Sequence, residues 1–494
     1  MTSYWFTEAE LPARLPLPGD ARVDTLVIGA GLVGLSTAQA LAAAGHDVAV
    51  IEARRVGAVT SGATTAKISA LQGTRAQTIA KRHDVAVLSR YLAANLAGLD
   101  HLLDFCAGHD IAAQRVPAIT YAQNESERGA VRAEYEATRA GGLPTELVDD
   151  CEVPFPTAGA VRLREQAQVD PVAVLAALAA DVEARGAPVH ESTRARRLRR
   201  RHGRVEVETE HGTVSASTVV VATGIPVFDR GLFFARLTPQ RSYLAAFDVP
   251  GPIPAEMYLS AGSPTRSLRR VPTDTGEVLF VGGSGHTVGR TRSAAAHVND
   301  LLDWTERWFP GARLLDRWSA QDYHPVGELP GAGPLLPGTD DVLVATGFAK
   351  WGMAAGAAAA TVLADRVLGR RSPEWAEVFT VARPAPGTLV AGAQANLSVA
   401  RQMTTGWLSL AGHGAAAGDP PEGAGRVERR GAHPTAVCTV DGETTAVSAV
   451  CPHLRGILAW NDAEKTWDCP LHGSRFAPDG AVLEGPATTP LPRR

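Results

Sequence analysis

Two short loops near the C-terminus carry the side chains with the most chemical content: Cys451-Pro452-His453 and, after the intervening residues 454–468, Cys469-Pro470-Leu471-His472. Each loop offers one thiolate and one imidazole, so the two Cys can hold one iron and the two His another, the donor split of a mixed-ligand [2Fe-2S] centre. Such a centre carries electrons singly. Tetrahedral Zn²⁺ accepts the same four donors, but structural zinc sites group Cys with Cys and His with His along the chain, and this alternation does not. Cys451, His453, Cys469 and His472 are therefore the expected metal ligands, with zinc as the competing occupant.

A second chemical signal lies at the other end. Val23 to Ile28 reads as a short buried strand, followed by Gly29-Ala30-Gly31-Leu32-Val33-Gly34, a helix over Leu35 to Ala44, and a strand from Asp47 to Ile51 that ends in Glu52. The first Gly permits a tight turn, the second lets backbone approach a pyrophosphate, and the third lets the helix pack close to the strand. The helix N-terminus then faces the phosphates, and Glu52 can accept hydrogen bonds from ribose hydroxyls. The order of strand, motif, helix, strand and acid predicts a dinucleotide site without deciding between FAD and NAD.

Three further stretches point to a flavin. Glu52-Ala53-Arg54 leads into a small-residue loop, Thr60 to Lys67, with Thr64, Thr65 and Ala66 placed to approach the cofactor. Val219 to Val221 ends in Ala222-Thr223-Gly224, and Val342 to Thr346 runs through Gly347 into Phe348-Ala349-Lys350-Trp351-Gly352-Met353 and an Ala-rich helix. Together these resemble the D-amino acid oxidase (DAO) type of FAD-dependent oxidoreductase, over roughly Val23 to Arg371. The resemblance implies FAD along the N-terminal βαβ unit, with adenine near Thr193 to Ala195. It also implies a last helix whose positive end, near Gly352, faces the flavin. Asp170-Pro171 fits an N-cap and first helical residue, followed by strands around 189–192 and 205–209. None of Cys106, Cys151, Cys438 or His46 stands in an obvious attachment context, so FAD is expected to be non-covalent.

CPHLRG and CPLHGSRF resemble the cluster loops of Rieske proteins, from about Asp419 to the C-terminus. Gly456 and Leu471 stand where many respiratory members carry a disulfide, Ser474 where a hydroxyl donor to cluster sulfur is expected, and Phe476 where high-potential members carry Tyr. Fewer hydrogen bonds to sulfur imply a potential low in the Rieske range.

These readings predict an α/β, Rossmann-like FAD-binding domain of DAO/glutathione-reductase type with an interleaved α+β substrate domain, and a small all-β Rieske domain. The oxidoreductase is expected over 1–385, with FAD-binding segments at about 20–75, 160–225 and 339–371 and a substrate region at about 226–338. A helical linker, 386–418 with a helix over about 389–410, leads to the Rieske domain, 419–494. In the substrate region Arg241, Tyr243, Arg266 and His286 are candidate catalytic residues, because amine-oxidising relatives hold a substrate carboxylate with Arg and Tyr. Lys67 and Lys350 join them, being two of only four Lys and lying in the suspected flavin loops. Gly283 to Gly289 resembles a second dinucleotide fingerprint. It has one residue too many before its last Gly and no acid about twenty residues on, so it reads as a substrate-domain turn.

With 494 residues, 45% of them hydrophobic, the chain has room for two or three domains, and its net charge of −4 gives no footprint for nucleic acid. No run is long enough for a membrane span, and the N-terminus lacks a charged and then apolar leader pattern, so a cytoplasmic protein is expected. Cys106, Cys151 and Cys438 are expected to be thiols in a reducing compartment. The expected function is oxidation of a small-molecule amine or amino acid by hydride transfer to FAD, with electrons leaving singly through the cluster to an external acceptor. The alternatives are an NAD(P)H-dependent reductase feeding an oxygenase, for which a second nucleotide fingerprint is missing, and an O₂-using oxidase with a structural or redox-sensing Rieske domain.

Overall fold

The computed structural model describes residues 2–9, 11–228, 231, 233–274, 276–380, 397, 399–408 and 418–494. The apolar run that opens the dinucleotide motif becomes the strand Ala21–Ile28, central in an eight-stranded sheet and parallel to both Val48–Ile51 and Thr213–Val221. Such a strand must be apolar on both faces, because both are covered. Val27, Val50 and Val220 join the core with the helices, whereas Leu26, Ile28, Val219 and Val221 pack into the opposite layer. Val342–Thr346 adds to the sheet beside Thr213–Val221, so the three predicted flavin-contacting turns leave neighbouring strands at the same end.

The helices start where the sequence provides caps. Asp170 Oδ1 accepts from the N–H groups of Val172 (2.7 Å) and Ala173 (3.2 Å) and begins the helix Pro171–Ala184. The Ala-rich helix Ala354–Val367 packs against both Leu32–Ala43 and Val85–Gly108, and its small side chains permit the close approach.

A second eight-stranded sheet runs Arg313–Pro325, Leu237–Asp248, Gly276–Thr287, Arg266–Thr273, Met257–Ser260, Ala118–Tyr121, Ala160–Leu163 and Glu146–Val148. Its last three strands come from before residue 226, so the substrate sheet is assembled from two separate stretches of chain. The segment 283–287 is strand rather than the expected turn. Arg241 pairs with His286 and Tyr243 with Gly283, and the register shift between them absorbs one extra residue as a bulge, helped by the left-handed φ of Ser284 (48°). A paired strand leaves no free turn for a pyrophosphate there.

The C-terminal module consists of two small antiparallel sheets, Gly425–Arg430 with His433–Val440 and Glu443–Ser448, and Ala459–Asn461 with Thr466–Asp468, Arg475–Phe476 and Val482–Glu484. Of the expected linker helix, 399–408 is helical, and the remainder lies outside the described residues apart from helical Leu397. Trp407 Nε1 donates to the carbonyl of Arg455, tying this helix to the module.

The module docks on the outer face of the second sheet. Its Asp462 caps the helix Ala294–Trp308, accepting from Ser293 Oγ (2.6 Å), Ala294 N (2.7 Å) and Ala295 N (2.9 Å). Arg290 Nε donates to Pro470 O at 2.9 Å and Gln321 Nε2 to Gly473 O at 2.8 Å. At the centre Arg241, 1% exposed, pairs with Glu464 and Glu484 at 3.1 Å each, and Arg475 pairs with Glu464, with Glu484 (2.9 Å) and with Asp468 (3.1 Å). Burial alone would raise the Glu484 pKa; Arg241 and Arg475 outweigh it and hold the carboxyl below its ordinary range. Removing one partner of such a buried network leaves charge uncompensated, so Arg241→Met is expected to cost roughly 3–5 kcal/mol. Denaturant unfolding followed by the fluorescence of Trp460 and Trp467 in the module measures this.

Candidate active site

Where the three turns converge, a cavity enclosing about 1490 Å³ of space, its open mouth included, opens beneath the first sheet's strand ends. Its wall includes Gly29, Gly31, Leu32, Val33, Glu52, Ala53, Arg54, Thr64, Ala195, Ala222, Thr223, Gly224, Gly347, Gly352 and Met353. Gly29 has φ +107°, and a Cβ there would lie 2.6 Å from the carbonyl oxygen of Ala222. A Cβ on Gly34 would lie 1.9 Å from Gly29 O, so this third glycine serves helix packing and stays off the wall. Glu52 is oriented by two backbone donors, Ala30 N to Oε2 and Arg54 N to Oε1, each at 2.9 Å. Burial raises its pKa, and these two N–H groups work against that shift. The cradle fits FAD: Gly29, Gly31, Leu32 and Val33 would hold the pyrophosphate, and Glu52 and Arg54 a ribose. Glu52→Ala removes a charged acceptor and is expected to weaken FAD binding about tenfold to a hundredfold, as read by flavin titration of the deflavinated protein.

Four other predicted flavin contacts lie off the wall. The Ala30 N–H is spent on Glu52, the Thr65 carbonyl accepts from Arg269, Ala66 O accepts from Val169 N at 3.3 Å, and Trp351 O accepts from Ala355 N in the last helix's first turn. In their place stand Ser61, Arg194, Val227, Asp322, Tyr323 and Phe348 and, from the module, Leu483, Glu484, Gly485 and Thr488. Arg194 lies within the predicted adenine segment; the module's residues carry no local signal, because they reach the cavity only through docking.

The candidate catalytic residues separate. Lys350 is exposed on the cavity wall, in a turn where Ala349 (φ 50°) and Lys350 (φ 76°) are both left-handed. Lys67 is not on the wall: its Nζ donates to Tyr258 O and Ser267 Oγ at 2.7 Å each, and burial, with Arg269 nearby, pushes its pKa well below the ordinary range. Arg241 is consumed by the docking network. Arg266 is held by Asp300 Oδ2 (2.8 Å) and Ser284 Oγ (3.0 Å) beneath Trp304. The Tyr243 hydroxyl meets His286 Nε2 at 2.9 Å, and His286 lies against His297, with burial lowering its pKa to about 4. None of these four residues is on the cavity wall, although Lys350 Nζ would lie 3.2 Å from a Cβ on Gly285, beside His286. Near Lys350 stand instead Asp322, whose Oδ2 lies 3.7 Å from His324 Nε2; both atoms are buried without a hydrogen-bond partner among the described residues.

In the module the two ligand loops lie side by side: a Cβ on Gly456 would touch Leu471 at 2.7 Å and Cys469 Sγ at 3.2 Å. The Cys451 and Cys469 side chains are neighbours that perturb one another. The N–H groups of His453 and Leu454 and the Ser474 side chain address the Cys451 sulfur, and those of Leu471 and His472 address Cys469. The His453 and His472 rings are 5.2 Å apart, and both ring nitrogens of His472 are buried without a hydrogen-bond partner among the described residues. Burial lowers the His472 pKa to about 3, which leaves the neutral, ligating imidazole. Among the described residues no group of three or more His, Cys, Asp or Glu is placed to share a single metal ion. A thiol pair beside an imidazole pair fits a cluster divided between two irons better than tetrahedral zinc. Phe234 from the flavoprotein half packs edge-on against His472 and His453 at 5.2 and 6.0 Å.

Residues 24–366 match the family model described as FAD dependent oxidoreductase (DAO), and residues 415–493 match that of the Rieske [2Fe-2S] domain. The chain belongs to the DAO family of FAD-dependent oxidoreductases. A relative of the same architecture is YhfW of Bacillus subtilis (strain 168), whose name places it among Rieske 2Fe-2S iron-sulfur proteins; it is 31% identical over 99% of this chain and 96% of its own. Among solved structures, glycine oxidase from Geobacillus kaustophilus matches 74% of this chain and 99% of its own, with TM-score 0.60 and 22% identity. L-proline dehydrogenase from P. horikoshii matches 74% of this chain and 97% of its own, with TM-score 0.59 and 17% identity. As a DAO-family enzyme with a Rieske domain, the protein uses FAD and a [2Fe-2S] cluster. Among the described residues no helix is long and apolar enough to cross a membrane.

Proposed function

We propose that this DAO-family enzyme oxidises an amino acid or amine and delivers the electrons one at a time, through its Rieske domain, to an external acceptor. The observation that carries this reading is the shared wall: the cavity lined by Gly29, Gly31 and Gly352 is also lined by Leu483, Glu484 and Gly485. Gln321 Nε2 further bridges Tyr323 Oη on that wall (2.9 Å) to the carbonyl of Gly473 (2.8 Å), the residue after ligand His472. When bound, FAD supplies a two-electron hydride acceptor and the cluster a one-electron carrier.

The chain's own groups position substrate and proton. The Lys350 ammonium offers a partner for a substrate carboxylate, and Asp322 Oδ2 an acceptor for an amine N–H. Burial lowers the His324 pKa, with Lys350 acting in the same direction and Asp322 opposing. The neutral imidazole is thereby favoured; it stands off the cavity wall, its Nε2 3.7 Å from the Oδ2 of Asp322, which is on the wall. Phe348 and Met353 supply apolar wall at the same end and limit water there. The names glycine oxidase and L-proline dehydrogenase, carried by two fold neighbours, support an amino-acid class of substrate.

Anaerobic stopped-flow spectroscopy with a panel of amino acids and amines and, separately, with NADH and NADPH tests the proposal. Flavin bleaching by an amino acid or amine, followed by loss of the oxidised cluster bands, is expected. Bleaching by a pyridine nucleotide alone would refute it.

A further inference from the structure

We infer that the segment 482–488 of the Rieske domain is part of the FAD site, a strap closing the dinucleotide cleft so that FAD is retained only while the domain stays docked. The inference rests on FAD occupying the cavity described above. One side of that cavity is built by the first sheet's turns, and Leu483, Glu484, Gly485 and Thr488 stand across it.

The strap is pinned along its length by groups of the flavoprotein half. Arg194 Nη2 donates to Val482 O at 3.0 Å, and Tyr323 Oη to Gly485 O at 3.4 Å. Both donors themselves line the cavity. Between these points the Glu484 carboxylate is engaged by Arg241 and Arg475, which makes it a peg for the strap rather than a free ligand for the cofactor. Gly485 lies so close to the wall that a Cβ would come within 3.3 Å of Val227 Cγ1. The strap thus spans from Arg194, in the predicted adenine segment, to Tyr323 beside Gly224. A ligand covered in this way leaves no faster than its cover opens. By the same linkage, bound FAD stabilises the docked arrangement.

Asp462 and Arg290 hold the docked domain but lie off the cavity wall, so a double variant, Asp462→Ala with Arg290→Ala, loosens docking without touching the cofactor's surroundings. In the full-length holoprotein, FAD release read by flavin fluorescence is expected to quicken about tenfold, with the EPR signal of the reduced cluster retained. An unchanged release rate overturns the inference. A second measurement needs no variant. In wild-type protein stripped of flavin but keeping its cluster, restoring FAD is expected to protect amides in peptides spanning 29–34 and 482–488 from hydrogen exchange. Protection at 29–34 without protection at 482–488 overturns the strap. Absence of protection at both overturns instead the placement of FAD in the cleft.

Discussion

Cys451→Ser is expected to strip the protein of iron while leaving flavin chemistry in place. The Cys451 sulfur lies against that of Cys469 and is addressed by two backbone N–H groups and Ser474, an environment built for a thiolate bound to metal. A serine hydroxyl stays protonated there and is a poor ligand for iron. The bound iron should fall to background and the visible and EPR signals of the cluster should vanish. Flavin reduction by substrate should persist, because no ligand loop residue lines the cavity. Turnover with one-electron acceptors should drop to background while single-turnover flavin bleaching stays near the wild-type rate. If electrons reached such acceptors at an undiminished rate without the cluster, the Rieske domain would not be their route. If the purified wild-type protein carried zinc in place of iron, the reading of the ligand loops would fail with it.

The two cofactor sites were legible in the sequence because each is written in a short stretch whose residue order is its own evidence. Gly29, Gly31, Gly34 and Glu52 lie within one strand-turn-helix-strand unit, and the four cluster donors lie within two loops that a small β framework brings together. The candidate substrate residues were illegible for the opposite reason. Arg241 belongs to a twelve-residue strand, Leu237–Asp248, and its role depends on what covers that strand's outer face. The cover is the Rieske domain, more than two hundred residues away in sequence, which brings Glu464 and Glu484 to it. Arg266 is likewise decided by Asp300 on a helix that the sequence does not orient, and Lys67 by Tyr258 and Ser267 in a different sheet. Residues 283–287 show the same limit within a single element. A Gly-rich stretch reads as a turn, yet the long antiparallel partner Leu237–Asp248 extends the strand through it with one bulge. Lys350 could be picked out because Lys is scarce in this chain and this one lies in the loop after the strand Val342–Thr346, so the local turn fixes which end of the sheet it occupies.

Lys350→Met should raise KM for an amino acid substrate, lowering kcat/KM about tenfold to a hundredfold with kcat little changed, the signature of lost uniform binding. The same substitution should leave the corresponding decarboxylated amine nearly unaffected, because the contact removed is to the carboxylate. Equal losses for amino acid and amine would assign Lys350 to the flavin instead. The backbone supplies an independent check. Ala349 and Lys350 adopt φ of 50° and 76° in succession, a pair of left-handed conformations that side-chain-bearing residues avoid. Each such residue costs of order 1 kcal/mol or more and persists only where the surroundings impose it. Lys350→Gly removes that cost together with the ammonium, so it should stabilise the protein against denaturant by about 1 kcal/mol while losing as much kcat/KM as Lys350→Met. A lysine kept for packing would show the reverse, a Gly variant of lower stability with unchanged discrimination between amino acid and amine. On the proposed reading, the strained turn serves to hold the Lys350 ammonium on the cavity wall that Asp322 also lines.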